Sequence, residues 1–259
     1  MTDRTASARS SPMRWLTALF DRFVAVLRDM VRIWWLAPLV PALVVVPEFI
    51  QHVVEIQIGM FDGVERAREV SDSAQRMVPG YAKVAGLILC ILATVRFWGA
   101  WSKGERWYDV RGVAWKGFLI AFAILAVTML PSLAARAWVG ENAGQIVDIV
   151  ISLAVLPVYV LMVRALAGSR EATLSSVYRN GWLAAVVAAL FSIVIWVPLQ
   201  ALHGLNHTWA MGGEPALVWA LMVFDSLVVG LLATGAGTAL HHGLVPLGET
   251  LPTRDEPSA

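Results

Sequence analysis

Six apolar runs, at about residues 33–57, 81–101, 117–139, 145–167, 181–202 and 217–240, constrain this chain more than any motif does. Each is near the ~20 residues that cross hydrocarbon about 30 Å thick. A lone segment in lipid can satisfy its own backbone only as a helix. The fold class follows: an all-α, polytopic membrane bundle of six transmembrane helices. Composition agrees, with 58% of the 259 residues hydrophobic and 15% charged, where soluble domains are nearer ~45–50% and ~25%. The net charge of +1 gives no nucleic-acid footprint. A single cysteine, Cys90, excludes an intrachain disulfide framework and a multi-cysteine metal site.

Residues 1–12 read as a disordered tail, 13–30 as an amphipathic interfacial helix, 31–242 as the membrane domain and 243–259 as a flexible tail. Within 13–30, Leu16, Leu19, Phe20, Phe23 and Leu27 recur at helical steps, while Arg14, Asp21, Arg22 and Arg28 face elsewhere. This pattern favours a helix lying in the headgroup layer over one packed on the span ends. No cleavable signal is evident, so the first span is expected to act as an uncleaved insertion signal. Lys and Arg concentrate before the first span, at 103–116 and at 170–179, which predicts cytoplasmic termini. Trp34, Trp35, Trp98, Trp101 and Trp182 then fall at the inner interface, and Trp138, Trp209 and Trp219 at the outer one. In 61–80, a thin stripe of Ala67, Val70, Ala74 and Met77 predicts a short surface helix. The small residues Gly235-Ala236-Gly237 suit close helix packing.

The outward-going spans share a spacing: Pro47 precedes His52 by five residues, Pro131 precedes Arg136, and Pro198 precedes His203. On returning spans, Asp148 precedes Arg164 by sixteen residues and Asp225 precedes His241 by sixteen. A pseudo-repeat of three helical hairpins would produce this pattern.

Ionisable groups at membrane depth raise a functional question by default. Glu48, His52 and Glu55 are spaced i, i+4, i+7 and share a helix face. With Arg32 at the inner interface, a rise of ~1.5 Å per residue puts Glu48 about 24 Å along the helix. Glu48 is then inside the hydrocarbon, His52 near its boundary and Glu55 in water. Pro47 removes a helical hydrogen bond and leaves the carbonyl near Leu43 free. His203, His207, Arg136, Glu141 and Asp148 come to the same side, and Asp225 lies about one-third of the way down its span. His203 and His207 have chelating spacing, but Gly204 and Asn206 weaken the assumption of continuous helix there. The preferred reading is an ion-pair cluster, with Glu48, His52, His203, His207, Asp225, Arg136 and Asp148 as the candidate polar or ion site. No catalytic, cofactor-binding or metal residue is assigned, and the cofactor is left unknown. Arg96 and Arg164 read as anchors that snorkel at span ends.

The segments PEFIQHVVEIQIGMFD (Pro47–Asp62) and LVWALMVFDSLVVGLLATGAGTALHHG (Leu217–Gly243) resemble those of bacterial six-span inner-membrane proteins of unassigned activity. More remotely, the layout is similar to the membrane domain of some glycerophosphodiester phosphodiesterases. The extramembrane catalytic domain of those enzymes has no counterpart here, so their activity does not transfer. The resemblance implies a bacterial inner-membrane location.

The leading expectation is a small transporter, channel or ion- or proton-coupled protein with an outer-leaflet polar site. A non-enzymatic scaffold or assembly factor is the alternative, and an intramembrane metal-binding protein the third. The expected partners are the lipid bilayer and a protein partner or second copy, with no nucleic acid.

Overall fold

The computed structural model describes residues 12–245, so all but the inner edges of the two expected tails lie outside the described residues. The elements in order are α1 (Pro12–Leu36), α2 (Leu39–Gln57), α3 (Val64–Val70), α4 (Ala74–Trp101), α5 (Trp115–Val127), α6 (Leu130–Trp138), α7 (Glu141–Ala154), α8 (Leu156–Leu166), α9 (Leu174–Asn180), α10 (Trp182–Ala210) and α11 (Pro215–Gly243). A 3₁₀ turn, Val110–Gly112, lies between α4 and α5, and no strand occurs among the described residues. Five helical stretches are long and apolar enough to cross a membrane, or six if α7 and α8 form one bent span. The near end of the bundle holds the 102–114 loop and α9; the far end holds the turns at 58–73, 139–140 and 211–214.

Prolines place the breaks. Pro38 separates α1 from α2, because the residue before a proline is pushed out of helical geometry. Pro131 and Pro157 each stand within the first turn of a new helix, and α7 and α8 meet at 52°. Pro47, Pro79 and Pro198 are carried inside continuous helices.

α11 is the central helix, packed on α1, α2, α4 and α10. Its glycines set how closely they approach. A Cβ on Gly237 would lie 2.8 Å from the Ile91 carbonyl oxygen, and one on Gly243 would lie 2.5 Å from Ala188 Cα. Between bilayer-spanning helices such close contact replaces the hydrophobic drive available in water. Hydroxyls on the same helix accept indole N–H groups, Trp34 onto Thr234 at 3.3 Å and Trp98 onto Thr238 at 3.0 Å. Trp34 and Trp98 therefore turn into the bundle and do not serve as interface anchors, since a buried indole needs an acceptor. Trp35, Trp138 and Trp209 remain exposed.

Other expectations also change. α1 does not lie apart from the spans. It runs along the near-end third of α11, from Arg22, which donates to the His242 and Val245 carbonyls at 3.0 Å each, to Trp34. The packed face is Arg22, Val26, Asp29 and Ile33, while Leu16, Phe20 and Leu27 stay exposed. Asp29 fixes this choice by pairing with His242 Nε2 at 2.9 Å. Arg96 does not snorkel. It is buried and donates to Leu166 O at 3.2 Å and Asp109 O at 2.9 Å, satisfying the end of α8 and the 102–114 loop. The stripe in 61–80 divides, because α3 ends at Val70 and Ala74 already belongs to α4.

The segment α5–α8 is peripheral. α8 carries its core contacts, with Val158, Val160 and Leu161 buried. Most apolar side chains of α5, α6 and α7 are exposed, as lipid-facing helices require.

Candidate functional site

The site begins with the irregularity at Pro47. Gly86 of α4 packs onto Leu43 O, the carbonyl that Pro47 leaves without its usual helical donor. A Cβ at Gly86 would sit 2.2 Å from that oxygen. This contact brings α4 alongside α2 and places two cations over its acidic face. Lys83 Nζ reaches Glu48 Oε1 at 3.0 Å, and Arg76 Nε reaches Glu55 Oε1 at 2.9 Å.

Glu55 is thus only 1% exposed, not solvated as depth along α2 alone suggests. The reason is that α4 starts at Ala74, about two turns before the expected residue 81, and covers the far end of α2. Gln51 Nε2 adds a hydrogen bond to Glu55 Oε1 at 3.0 Å.

His52 lies between the helices. Its Nδ1 is 3.0 Å from Glu55 Oε2, and its Nε2 is 3.2 Å from Glu48 Oε1 and 3.1 Å from Asp225 Oδ2. Asp225, on α11 and fully buried, is the meeting point. His203 Nδ1 approaches Asp225 Oδ2 at 2.6 Å and His207 Nε2 at 3.4 Å, while Asn206 Nδ2 donates to Oδ1 at 2.8 Å. The helix α10 is continuous through Gly204 and Asn206, so His203, Asn206 and His207 share a face. Gly204 has open space around it and imposes no break. Phe61, buried, lies over the His207 ring at 5.7 Å.

Of the candidate residues, Glu48, His52, His203, His207 and Asp225 converge. Arg136 and Asp148 do not join them. They pair with each other on α6 and α7, with Glu141 3.4 Å from Arg136. The two later hairpins carry the same kind of pairing, Arg136 with Asp148 and His203 with Asp225. Only the last hairpin meets α2. Sequence reasoning missed Gln51, Asn206, Arg76 and Lys83 as members. Asn206 sits three residues from His203, a same-face spacing that was available; Arg76 and Lys83 had no local signal.

The arrangement suits a metal ion. Glu48, His52 and Asp225 bring ligand atoms within 4.8 Å of one another, and so do His203, His207 and Asp225; His52, Glu55 and His207 form a third such group. Donors around a tetrahedral ion bonded at ~2.1 Å stand about 3.4 Å apart. The histidine nitrogens lie 2.6–3.4 Å from Asp225 Oδ2, at hydrogen-bonding distance, so an ion would replace these hydrogen bonds with small outward shifts of the donors. His52 Nδ1 faces Glu55 and its Nε2 faces Glu48 and Asp225. With an ion between those groups, Nε2 would be the ligating nitrogen and Glu55 would orient the ring through Nδ1, the carboxylate–histidine arrangement of metal-bound imidazoles. Around the cluster, the buried atoms Glu48 Oε2, Gln51 Oε1 and Asn206 Oδ1 have no hydrogen-bond partner among the described residues, and His207 Nε2 has only its 3.4 Å approach to Asp225. Such orphans are costly unless something else satisfies them. Comparison with known proteins finds no matching family model, curated relative or solved structure.

Proposed function

We propose that this chain is a small transporter-like membrane protein whose far-end cluster binds one divalent transition-metal ion as cargo or coupling ion. The observation that carries this reading is the convergence of three histidine nitrogens, from two helices, on one carboxylate oxygen of Asp225. Imidazole and carboxylate donors in this number favour zinc and its neighbours over calcium or magnesium, which take oxygen ligands. Among the described residues, the carboxylates of Glu48, Glu55 and Asp225 pair with two permanent cations, Arg76 and Lys83, and with imidazoles whose protons a bound cation would replace. Among the ligand-type side chains of the cluster, His203 and His207 are partly exposed, 17% and 24% accessible, and give the ion its approach. The Lys/Arg asymmetry supports placing the far end outside a bacterial inner membrane, with cytoplasmic termini. Exposed apolar faces on α5–α7 leave room for lipid or a second copy.

The test is elemental analysis and zinc titration of purified protein, followed by zinc flux into proteoliposomes. About one ion per chain is expected, with Asp225→Asn and His203→Ala each losing it. Metal-free protein with no zinc affinity would sink the proposal and leave the cluster as an ion-pair latch of a scaffold. Binding without flux would remove only the transport half.

A further inference from the structure

A second site lies at the near end, outside the histidine cluster. A cleft of about 560 Å³ opens between the start of α5, α8 and the 169–174 segment. Its size is that of a small-molecule pocket. Arg111, Lys116 and Arg170 line it together with Trp115, Ile120 and Leu161, and no acidic residue does. Arg111 is partly committed, since its guanidinium and backbone N–H both bond Asp109 and hold that carboxyl down at about 2. Among the described residues, Lys116 and Arg170 have no carboxylate partner.

The local electrostatics are unbalanced. The first turn of α5 contains no acid and its Ala114 cap supplies no side-chain hydrogen bond, yet Lys116 stands there. A cation at the positive end of a helix dipole is unfavourable unless an anion is nearby. The apolar wall continues onto the exposed α5 surface at Leu119 and Ile120, which faces lipid. One cleft thus combines cations with apolar lining that adjoins the exposed side chain of Leu119.

We propose that this cleft holds the phosphate-bearing headgroup of an anionic phospholipid, with Lys116 and Arg170 on the phosphate and the acyl chain starting along Ile120. Basic pockets between spans recognise such headgroups by charge, while the chain supplies burial that a free phosphate ester lacks. The lipid would extend the α5–α8 contact, where Phe118 and Ala121 already pack with Val158 and Leu161, out to the near-end edge of the bundle.

Native mass spectrometry in mixed micelles tests this directly. Phosphatidylglycerol should be retained about tenfold more than phosphatidylcholine, and glycerol 3-phosphate should not displace it. Lys116→Ala with Arg170→Ala should bring retention down to the phosphatidylcholine level, while Lys116→Arg with Arg170→Lys keeps the preference and reports a folded cleft. Equal retention of both lipids overturns the proposal, as does a preference that survives the double alanine variant. Displacement by glycerol 3-phosphate would overturn the lipid in favour of a soluble phosphate ester.

Discussion

Arg76, in the first turn of α4, donates to Glu55 Oε1 at 2.9 Å and closes the far end of α2 over the histidine cluster. Glu55 in turn holds His52 through its other oxygen. The first prediction concerns this relay. Glu55→Gln should leave the converging donors in place but weaken zinc binding about 10–100-fold, the usual effect of removing an orienting carboxylate. Competition titration against a zinc chelator reads it. Unchanged affinity would mean that His52 does not bind through Nε2.

Arg136 and Asp148 supply a contrast. Their pair is partly exposed and lies on a different hairpin from the cluster. Arg136→Ala should leave zinc affinity unchanged and shift stability by no more than about 1 kcal/mol. Loss of zinc binding in this variant would bring the α6–α7 pair into the site.

Gly86 is a packing test. Alanine there would drive a methyl onto Leu43 O, so Gly86→Ala should destabilise by about 1–3 kcal/mol, the ordinary cost of overpacking. Thermal unfolding in detergent measures it. Gly204→Ala, with open space around the residue, should be neutral or stabilising in the same assay.

At the other end of α11, Asp29 pairs with His242 and is itself buried. Asp29→Asn removes the charge from a buried interaction and should cost about 1–3 kcal/mol. Because Arg22 and Asp29 fasten α1 to α11, hydrogen exchange in residues 12–30 should rise before the rest of the bundle opens. Uniform exchange across all helices would show that α1 is held by apolar contacts alone.

Much of this was legible locally. Apolar run length places the spans, although the starts of α2 and α4 and the end of α10 lie six to eight residues from the run ends. Pro38 leaves residues 33–36 to α1, and polar residues at the other two ends, Arg76 and Asn206 among them, find partners on neighbouring helices. Asp225 stood out because a carboxylate inside an apolar run has to be paired, protonated or wet. Misreadings came from treating each helix as if its surroundings were lipid or water. Counting rise along α2 assigns Glu55 to water, and hydrophobicity alone does not mark Arg22 and Asp29, which pack beside Val26 and Ile33.

By itself the sequence determined an all-α membrane architecture, because lipid leaves the backbone no other solution and the apolar runs are long enough to register it. It also determined which side chains were too polar to ignore. Tertiary structure decided which of them meet: α11 places Asp225 against both α2 and α10, while Asp148 is left with Arg136 alone. The reason is that helix contacts in a bilayer are set by small residues such as Gly86 and Gly237 and by polar groups finding partners on other helices. Neither condition can be read from one helix at a time.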